Sequence, residues 1–194
     1  MTDISPVPWQ TCTSIAKNSW GYTENNKFKS AYHVICDLID IVSKNGVMLL
    51  NVGPKPDGTI TDEETAVLNE IGDWLKTNGE GIYDTVPWKT FGEGKVNTKD
   101  GSFKDNKTKK YTEKDFRFTY KDGAVYVFQM KPTHDGVIRI KNFKKITQDA
   151  IVYSVKLLGN HSPTIISRTE KYMELKLMEI PQTTLPLCFK IVLE

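Results

Sequence analysis

The spacing of the apolar residues changes midway along the chain, and this change constrains the fold more than any other feature of the sequence. Residues 1–91 alternate strand-like with helix-like segments, whereas beyond residue 110 the apolar residues recur at every second position. Strands that alternate with helices are typical of an α/β layer, and a series of short strands with turn signals is typical of an antiparallel β-sandwich. We therefore expect two domains, one α/β and one all-β.

The first domain begins with two strand–helix units. Residues 8–15 are expected to form a short strand, and apolar residues at helical spacing predict a helix over residues 28–44. Gly46 suits the left-handed position that ends such a helix. The uninterrupted apolar run over residues 47–52 predicts a strand that is buried on both faces, as in a parallel sheet.

A second helix is expected over residues 61–78. Thr61 and Glu64 form a capping box, in which the Thr61 side chain accepts a bond from the amide of Glu64 and Glu64 reaches back to the amide of Thr61. Two strands alone leave open edges, so either a part absent from this chain or the second domain must cover them. The apolar face of this helix is formed by Val67, Leu68, Ile71, Trp74 and Leu75.

The pattern of the second half of the chain indicates a different domain. Residues 92–110 are rich in Gly, Lys, Asn and Thr and are expected to form a linker or long loop, and residues 111–194 are expected to hold roughly six to eight short strands. Residues 1–91 carry 7 basic and 12 acidic groups, whereas residues 92–194 carry 19 and 12. Most of the basic residues stand singly along alternating strands, and the one dense stretch, Lys104 to Lys114, is mixed with Asp105 and Glu113. They therefore indicate a solvated surface and not a nucleic-acid site.

Composition excludes some further classes. No run of about 18 uncharged apolar residues is present, so we expect no membrane-spanning helix. Cys12, Cys36 and Cys188 are odd in number and lack metal-ligand spacing, which favours free thiols over a disulfide framework or a zinc site. Residues 1–6 show neither the basic nor the apolar stretch of a signal peptide; secreted, periplasmic and lysosomal locations stay open for a longer parent protein.

A group of aromatic residues near the first strand is the strongest local indication of a binding site. Trp9, Gln10, Trp20 and Tyr22 lie around the end of this strand and in the loop that follows it. Indole rings suit the C–H-rich faces of sugars, although both Trp residues are equally compatible with a core. Asn51 ends the second strand, where barrel enzymes bind ligands, but an Asn that bonds to loop backbone is an equal alternative.

His33 and Asp37, four residues apart in the first helix, are the only neighbours that suggest an acid–base or metal pair, and a hydrogen bond at the surface is the favoured interpretation. The motifs of zinc proteases, serine hydrolases, P-loop proteins and dinucleotide-binding folds are absent from the sequence. We therefore predict no metal site.

Three runs of sequence carry a resemblance to a known family. They are PWQTCTSIAKNSWGY (residues 8–22), LIDIVSKNGVMLLNVGPKPDGTI (38–60) and LNEIGDWLKTNGEGIYDTVPW (68–88). In this order they resemble the C-terminal part of the catalytic domain of glycoside hydrolase family 29 α-L-fucosidases. The resemblance implies the last βα units of a (β/α)8-type barrel over residues 1–91, followed by the family's C-terminal β-sandwich over residues 111–194.

The family implies an activity and a set of site residues. Its members are retaining exo-enzymes that release α-linked L-fucose from glycans without a metal or a cofactor. Trp20 matches the aromatic position that packs against the apolar side of fucose. Gln10 stands where many members have Glu, and because an amide has no proton to give at a useful pH, it is left with a hydrogen bond to a sugar hydroxyl. Trp9, Tyr22 and Asn51 complete the predicted substrate-binding set.

The resemblance also implies that catalytic groups are absent from this chain. In the family the nucleophilic Asp, the usual acid/base carboxylate and the His residues that hold the sugar all precede the run over residues 8–22. We therefore predict no catalytic residue here and three alternatives: an inactive C-terminal fragment, one chain of a split enzyme, or a non-catalytic glycan-binding module. The expected partners are a fucosylated glycan or α-L-fucoside, and either the N-terminal barrel portion or a second copy of the chain.

Overall fold

The computed structural model describes residues 3–96, 110–141, 143, 151–162, 164–169 and 171–194, so the linker expected over residues 92–110 lies largely outside the described residues. The elements in chain order are β1 (Trp9–Ser14), α1 (Ala31–Val42), β2 (Gly46–Asn51), α2 (Asp62–Asn78), a 3₁₀ turn (Gly79–Gly81), β3 (Val86–Glu93), β4 (Phe116–Lys121), β5 (Ala124–Gln129), β6 (Val137–Ile140), β7 (Val152–Leu157), β8 (Thr164–Arg168), β9 (Met173–Leu177) and β10 (Leu187–Leu193).

These strands form three sheets. β1 and β2 pair in parallel, and their register joins Trp9 to Gly46 and Ser14 to Asn51. A five-stranded sheet has the order β3-β4-β5-β10-β7, and a three-stranded sheet has the order β6-β9-β8; the pairs in both are antiparallel. The antiparallel part of the sequence-based expectation is therefore confirmed.

The five-stranded sheet has a hydrophobic core on each face. Tyr126 and Phe128 of β5 point to the side of the helices and share a core with Ile35, Ile39 and Trp74. Val125 and Val127 point to the opposite side and pack in the second core, whose members on the three-stranded sheet include Ile138, Ile140, Met173 and Leu175. The period of two in the sequence thus corresponds to a sheet that is buried on both sides. Among the described residues, the second half of the chain covers the helices but adds no strand to the edges of the β1–β2 pair.

The strand predicted from the apolar run over residues 47–52 is not buried on both faces. Met48 and Leu50 pack against the helix core, but Val47 is 57% exposed and Leu49 55% exposed. The helices cover one face of the β1–β2 sheet, and no other described residues bury these two side chains. The prediction failed because an uninterrupted apolar run indicates two apolar faces but does not supply the partner for each.

Two local predictions at the helix ends also need correction. Asn45, and not Gly46, takes the left-handed conformation after α1, with φ 69°. Gly46 is required for a different reason, since a Cβ there would lie 2.6 Å from the Trp9 ring. At α2, Thr61 accepts from the amide of Glu64 as predicted (3.2 Å), but the Glu64 carboxylate bonds to Gly53 and to the Thr61 hydroxyl instead of the Thr61 amide.

The domain boundary expected at residue 91 falls inside β3, which pairs with β4 at the edge of the five-stranded sheet. Pro87 and Gly92 interrupt the strand-like pattern, so the sequence did not indicate this strand. Pro is tolerated on an edge strand, and Gly92 lies so close to β4 that a Cβ would meet the carbonyl oxygen of Phe116. Trp88 between them is buried against Phe118, with the two rings 5.5 Å apart.

Candidate functional site

The uncovered face of the β1–β2 sheet presents side chains from both strands in register. Gln10 pairs with Val47 and Cys12 with Leu49, so these four side chains, all exposed, share the face opposite the helices. The Gln10 amide nitrogen lies 3.9 Å from the Cys12 sulfur. Gln10 therefore has an amide group at the surface, where it can donate a hydrogen bond to a ligand.

A loop rises from the carboxyl end of β1 and carries the predicted aromatic residues. Its base is closed by backbone bonds from Lys29 to Ile15 (2.8 Å) and from Lys17 to Lys27 (2.7 Å), and the amide of Ile15 donates to the carbonyl of Asn51 (3.1 Å). The buried Lys29 ammonium donates to Thr13 on β1 (2.6 Å). The loop is thus fixed to both strand ends.

Trp20 and Tyr22 lie within this loop and are exposed. Trp20 exposes 42% of its surface and Tyr22 39%, so neither belongs to the hydrophobic cores. This resolves for Trp20 the alternative between core and surface that the sequence left open. An exposed indole at the carboxyl end of two parallel strands has the position and the chemistry of a sugar-binding platform.

Asn51 holds the Trp20 loop. Its side-chain nitrogen donates to the carbonyl oxygen of Trp20 (2.6 Å) and approaches the Ser14 hydroxyl (3.5 Å). The bond to loop backbone that the sequence offered as one alternative for Asn51 is therefore present. A contact between Asn51 and a ligand stays a prediction.

Trp9 lies apart from the other predicted residues. Its indole nitrogen donates to the carbonyl of Lys44 (3.0 Å), and its ring packs over Gly46 and beside Ile41 on the helix side of the sheet. Alternation along β1 places Gln10 on one face and Trp9 on the other. Trp20, Tyr22 and Asn51 therefore lie at the carboxyl end of the two strands, whereas Gln10 is the second residue of β1 and lies toward its other end, and Trp9 packs on the helix side.

His33 and Asp37 are neighbours in α1, but their contact is largely buried and is not the hydrogen bond at the surface that the sequence favoured. Their side chains approach to 3.3 Å within α1, and Asp37 is almost fully buried. Both line a cleft of about 660 Å³ beside Tyr32 and Tyr111, which contains none of the five predicted substrate-binding residues. Among the described residues there is no group of three or more His, Cys, Asp or Glu side chains able to hold a metal ion, and no helix long and apolar enough to span a membrane.

The carboxylates near the strand ends are engaged in structural bonds. Glu64, which is buried, accepts from the amide of Gly53 (3.0 Å). Asp57 accepts from the amide (2.9 Å) and hydroxyl (2.7 Å) of Thr59, and these bonds hold the pKa of the Asp57 carboxyl below its usual range. A carboxyl with a lowered pKa is poorly suited to be a general acid.

Comparison with known proteins agrees with this geometry. A family model described as Alpha-L-fucosidase matches residues 1–80. The tissue alpha-L-fucosidase of Rattus norvegicus is 33% identical over 139 residues, which cover 70% of this chain and 26% of the rat protein. That of Mus musculus is 29% identical over 187 residues, which cover 93% of this chain and 36% of the mouse protein.

A solved structure extends the likeness over nearly the whole chain. The alpha-fucosidase of Thermotoga maritima in complex with fucose superimposes with a TM-score of 0.75 and 26% identity, over 99% of this chain and 41% of that one. The chain belongs to the α-L-fucosidase family, and it corresponds to the C-terminal part of such a protein. It spans between about a quarter and two fifths of the length of these relatives.

Proposed function

We propose that this chain forms the C-terminal part of a retaining exo-α-L-fucosidase, an enzyme that releases α-linked L-fucose from glycans. In this proposal β1 to α2 are the last βα units of a (β/α)8-type barrel, and the strands from β3 onward are the C-terminal sandwich. The parallel β1–β2 pair with helices on one face only supports the barrel assignment. A barrel has an inner face toward its own centre, and the exposed face of Gln10, Cys12, Val47 and Leu49 would be that face.

The observation that carries the proposal is the exposed Trp20 indole at the carboxyl end of these strands. We assign to Trp20 the apolar contact with fucose, because an indole face buries C–H groups of a sugar while its hydroxyls keep their hydrogen bonds. Gln10, exposed on the uncovered face of the sheet, would donate to a sugar hydroxyl. Tyr22, also exposed in this loop, would widen the aromatic surface, and Asn51 would orient the loop.

The carboxylates of the reaction would come from outside this chain. Retaining hydrolysis needs a nucleophile and an acid/base about 5–5.5 Å apart. Gln10 has no proton to transfer, and Glu64 and Asp57 are held in the bonds described above. The chain by itself is therefore expected to bind fucose weakly and not to hydrolyse fucosides.

Two measurements on the purified chain test this proposal. L-Fucose is titrated while binding is followed by calorimetry or by NMR, and an aryl α-L-fucoside is assayed for turnover. We expect weak fucose binding that Trp20→Ala abolishes and that Tyr153→Ala, a matched loss of an exposed aromatic residue elsewhere, leaves unchanged. Binding that survives Trp20→Ala would contradict the assignment of Trp20, and turnover that a substitution within the chain abolishes would contradict the assignment of the catalytic groups.

The uncovered sheet face also supports a second candidate, in which the chain is one part of a split enzyme. Val47 and Leu49 expose apolar surface that a separate N-terminal barrel portion would bury. Mixing with an N-terminal portion of a family member should then generate fucosidase activity, and Leu49→Lys should prevent it. Fucose binding without any complementation would instead favour the non-catalytic glycan-binding module.

A further inference from the structure

Glu64 is a buried carboxylate that bonds to the segment after β2 as well as to the cap of its own helix. It stands in the first turn of α2 with about 1% of its surface exposed. One carboxylate oxygen accepts from the backbone amide of Gly53, at 3.0 Å, and the other accepts from the hydroxyl of Thr61, at 3.2 Å. Because a buried charge is costly unless it is hydrogen-bonded, this arrangement fixes Gly53 against the start of α2.

Gly53 in turn touches the loop that carries Trp20. A Cβ on Gly53 would lie 2.8 Å from the carbonyl carbon of Gly21 and 2.9 Å from the amide of Tyr22. Backbone therefore packs directly on backbone at this point, and no residue with a side chain fits there without displacing the loop. Two residues earlier, Asn51 donates to the carbonyl of Trp20.

We propose that Glu64 and Gly53 are positioning residues that hold the indole of Trp20 in place from α2. Glu64 fixes the segment after β2, and Gly53 supports the backbone of residues 21–22. Asn51 holds the carbonyl of Trp20. The loop spans residues 18–26 beyond its closed base, and without these contacts it would have to be ordered by the ligand. The benefit of this positioning for sugar binding rests on the function proposed for Trp20. The positioning of the loop itself is independent of that function.

The decisive comparison is between two glycine substitutions. The chain is labelled with 5-fluorotryptophan, and the ¹⁹F resonance of Trp20 is assigned by its loss in Trp20→Phe. Gly53→Ala places a methyl group against the loop backbone, whereas a methyl group at Gly72 in α2 meets no side chain within 4 Å. We expect Gly53→Ala to shift or broaden the Trp20 resonance while those of Trp9, Trp74 and Trp88 keep their positions, and Gly72→Ala to leave all four unchanged. An unaltered Trp20 resonance in Gly53→Ala would overturn the proposal.

Glu64 is tested by a substitution that retains an acceptor. Glu64→Gln keeps an oxygen for the Gly53 amide, and Glu64→Ala does not. We expect the Trp20 resonance of Glu64→Ala to move toward that of an exposed, mobile indole, and Glu64→Gln to restore most of the native position. Glu63→Ala, an exposed neighbour in the same turn, is the control. Should Glu64→Ala fail to fold, the Trp20 resonances of Glu64→Gln and Gly53→Ala decide whether the proposal holds. A native Trp20 resonance in a folded Glu64→Ala would contradict the role given to Glu64.

Fucose titrations separate this proposal from the function on which it builds. Gly53→Ala should weaken L-fucose binding by about 3- to 10-fold, the cost of ordering one loop side chain. Gly72→Ala in α2, where the added methyl group meets no side chain, should leave the affinity unchanged. If the native chain shows no fucose binding but the ¹⁹F changes occur, the sugar assignment fails and the positioning of Trp20 stands. If fucose binds equally to the native chain and to Gly53→Ala, the benefit of this positioning for sugar binding is refuted, and the ¹⁹F spectra alone decide the positioning itself.

Discussion

Arg117 on β4 donates through its Nε atom to the carboxylate of Asp40 on α1, 77 residues earlier in the chain. Their side chains are 1% and 3% exposed. The other carboxylate oxygen of Asp40 accepts from the Lys44 ammonium at 2.7 Å. Arg117 also donates to the carbonyl oxygens of Phe116, at 2.8 Å, and Val96. A buried ion triad therefore joins the helix layer to the five-stranded sheet.

Removing one member of this triad should be strongly destabilising. Arg117→Met leaves the Asp40 carboxylate with Lys44 alone, and Asp40→Leu leaves two buried cations without their anion. Each should reduce the free energy of unfolding by about 3–5 kcal/mol, as measured by urea denaturation. The Asp40→Leu/Arg117→Met double variant should lose much less than the sum of the two. Additive losses would show that the two side chains act independently.

Stability should also depend on pH through Asp40. Burial alone would raise the pKa of its carboxyl, but the charges of Arg117 and Lys44 outweigh burial and hold it below the usual range. A carboxyl with a lowered pKa in the folded state contributes stability above its unfolded pKa of about 3.9 and loses it as the pH falls through the folded value.

Urea denaturation between pH 7 and pH 2 measures this contribution. The native chain should lose stability as the pH falls below about 4, and Asp40→Asn, which has no charge to neutralise, should lose less over the same interval. Asp57 and Asp135 also have lowered pKa values but are exposed and present in both proteins. Parallel curves for the two proteins would contradict the assignment to Asp40.

Trp74 should contribute more to stability than any other apolar residue of α2. It is buried, its indole nitrogen donates to the carbonyl of Pro186 at 2.8 Å, and its ring lies 6.2 Å from that of Phe128. Trp74→Ala should cost about 3–5 kcal/mol. Leu68 is only half-buried, so Leu68→Ala should cost about 1 kcal/mol. Equal losses in urea denaturation would contradict this order.

The uncovered face of the β1–β2 sheet should cause the isolated chain to associate with itself. Val47 and Leu49 together expose an apolar surface beside unpaired strand edges, which favours pairing between copies. Sedimentation velocity over a concentration series should show dimers or larger species that Val47→Thr/Leu49→Lys reduces. Ile165→Lys, an exposed apolar position on β8, is the control. A native chain that stays monomeric throughout would contradict the expectation.

Elements fixed by neighbouring residues could be predicted from the sequence. Helical spacing located both helices, Asn78 ends α2 as expected, and Thr61 caps it. Alternation predicted roughly six to eight short strands over residues 111–194, where β4 to β10 lie. β8 gives no clear alternation because its side chains are mostly exposed, and Pro87 and Gly92 interrupt the pattern of β3.

Contacts between distant residues could not be predicted in this way. Asp40 and Arg117 each look like an ordinary surface charge in the sequence, and only the packing of α1 on β4 brings them together. The same holds for Glu64, whose local pattern indicated a capping box while its carboxylate bonds to Gly53. At the site, the sequence indicated the types of residue at Trp20 and Gln10, and alternation separates Trp9 from Gln10, but which face of β1 lies against the helices, and with it the packing of Trp9, follows from contacts with distant residues.

The central claim is that this chain contributes a surface for fucose but no group that attacks its anomeric carbon. Intact-mass measurement after incubation with a 2-deoxy-2-fluoro-fucosyl fluoride tests this most directly, because a retaining nucleophile would be trapped as a glycosyl ester. We predict that the mass of the chain stays unchanged. A gain of one fluorofucosyl group, located on a carboxylate of this chain and lost when that carboxylate is replaced, would contradict the claim.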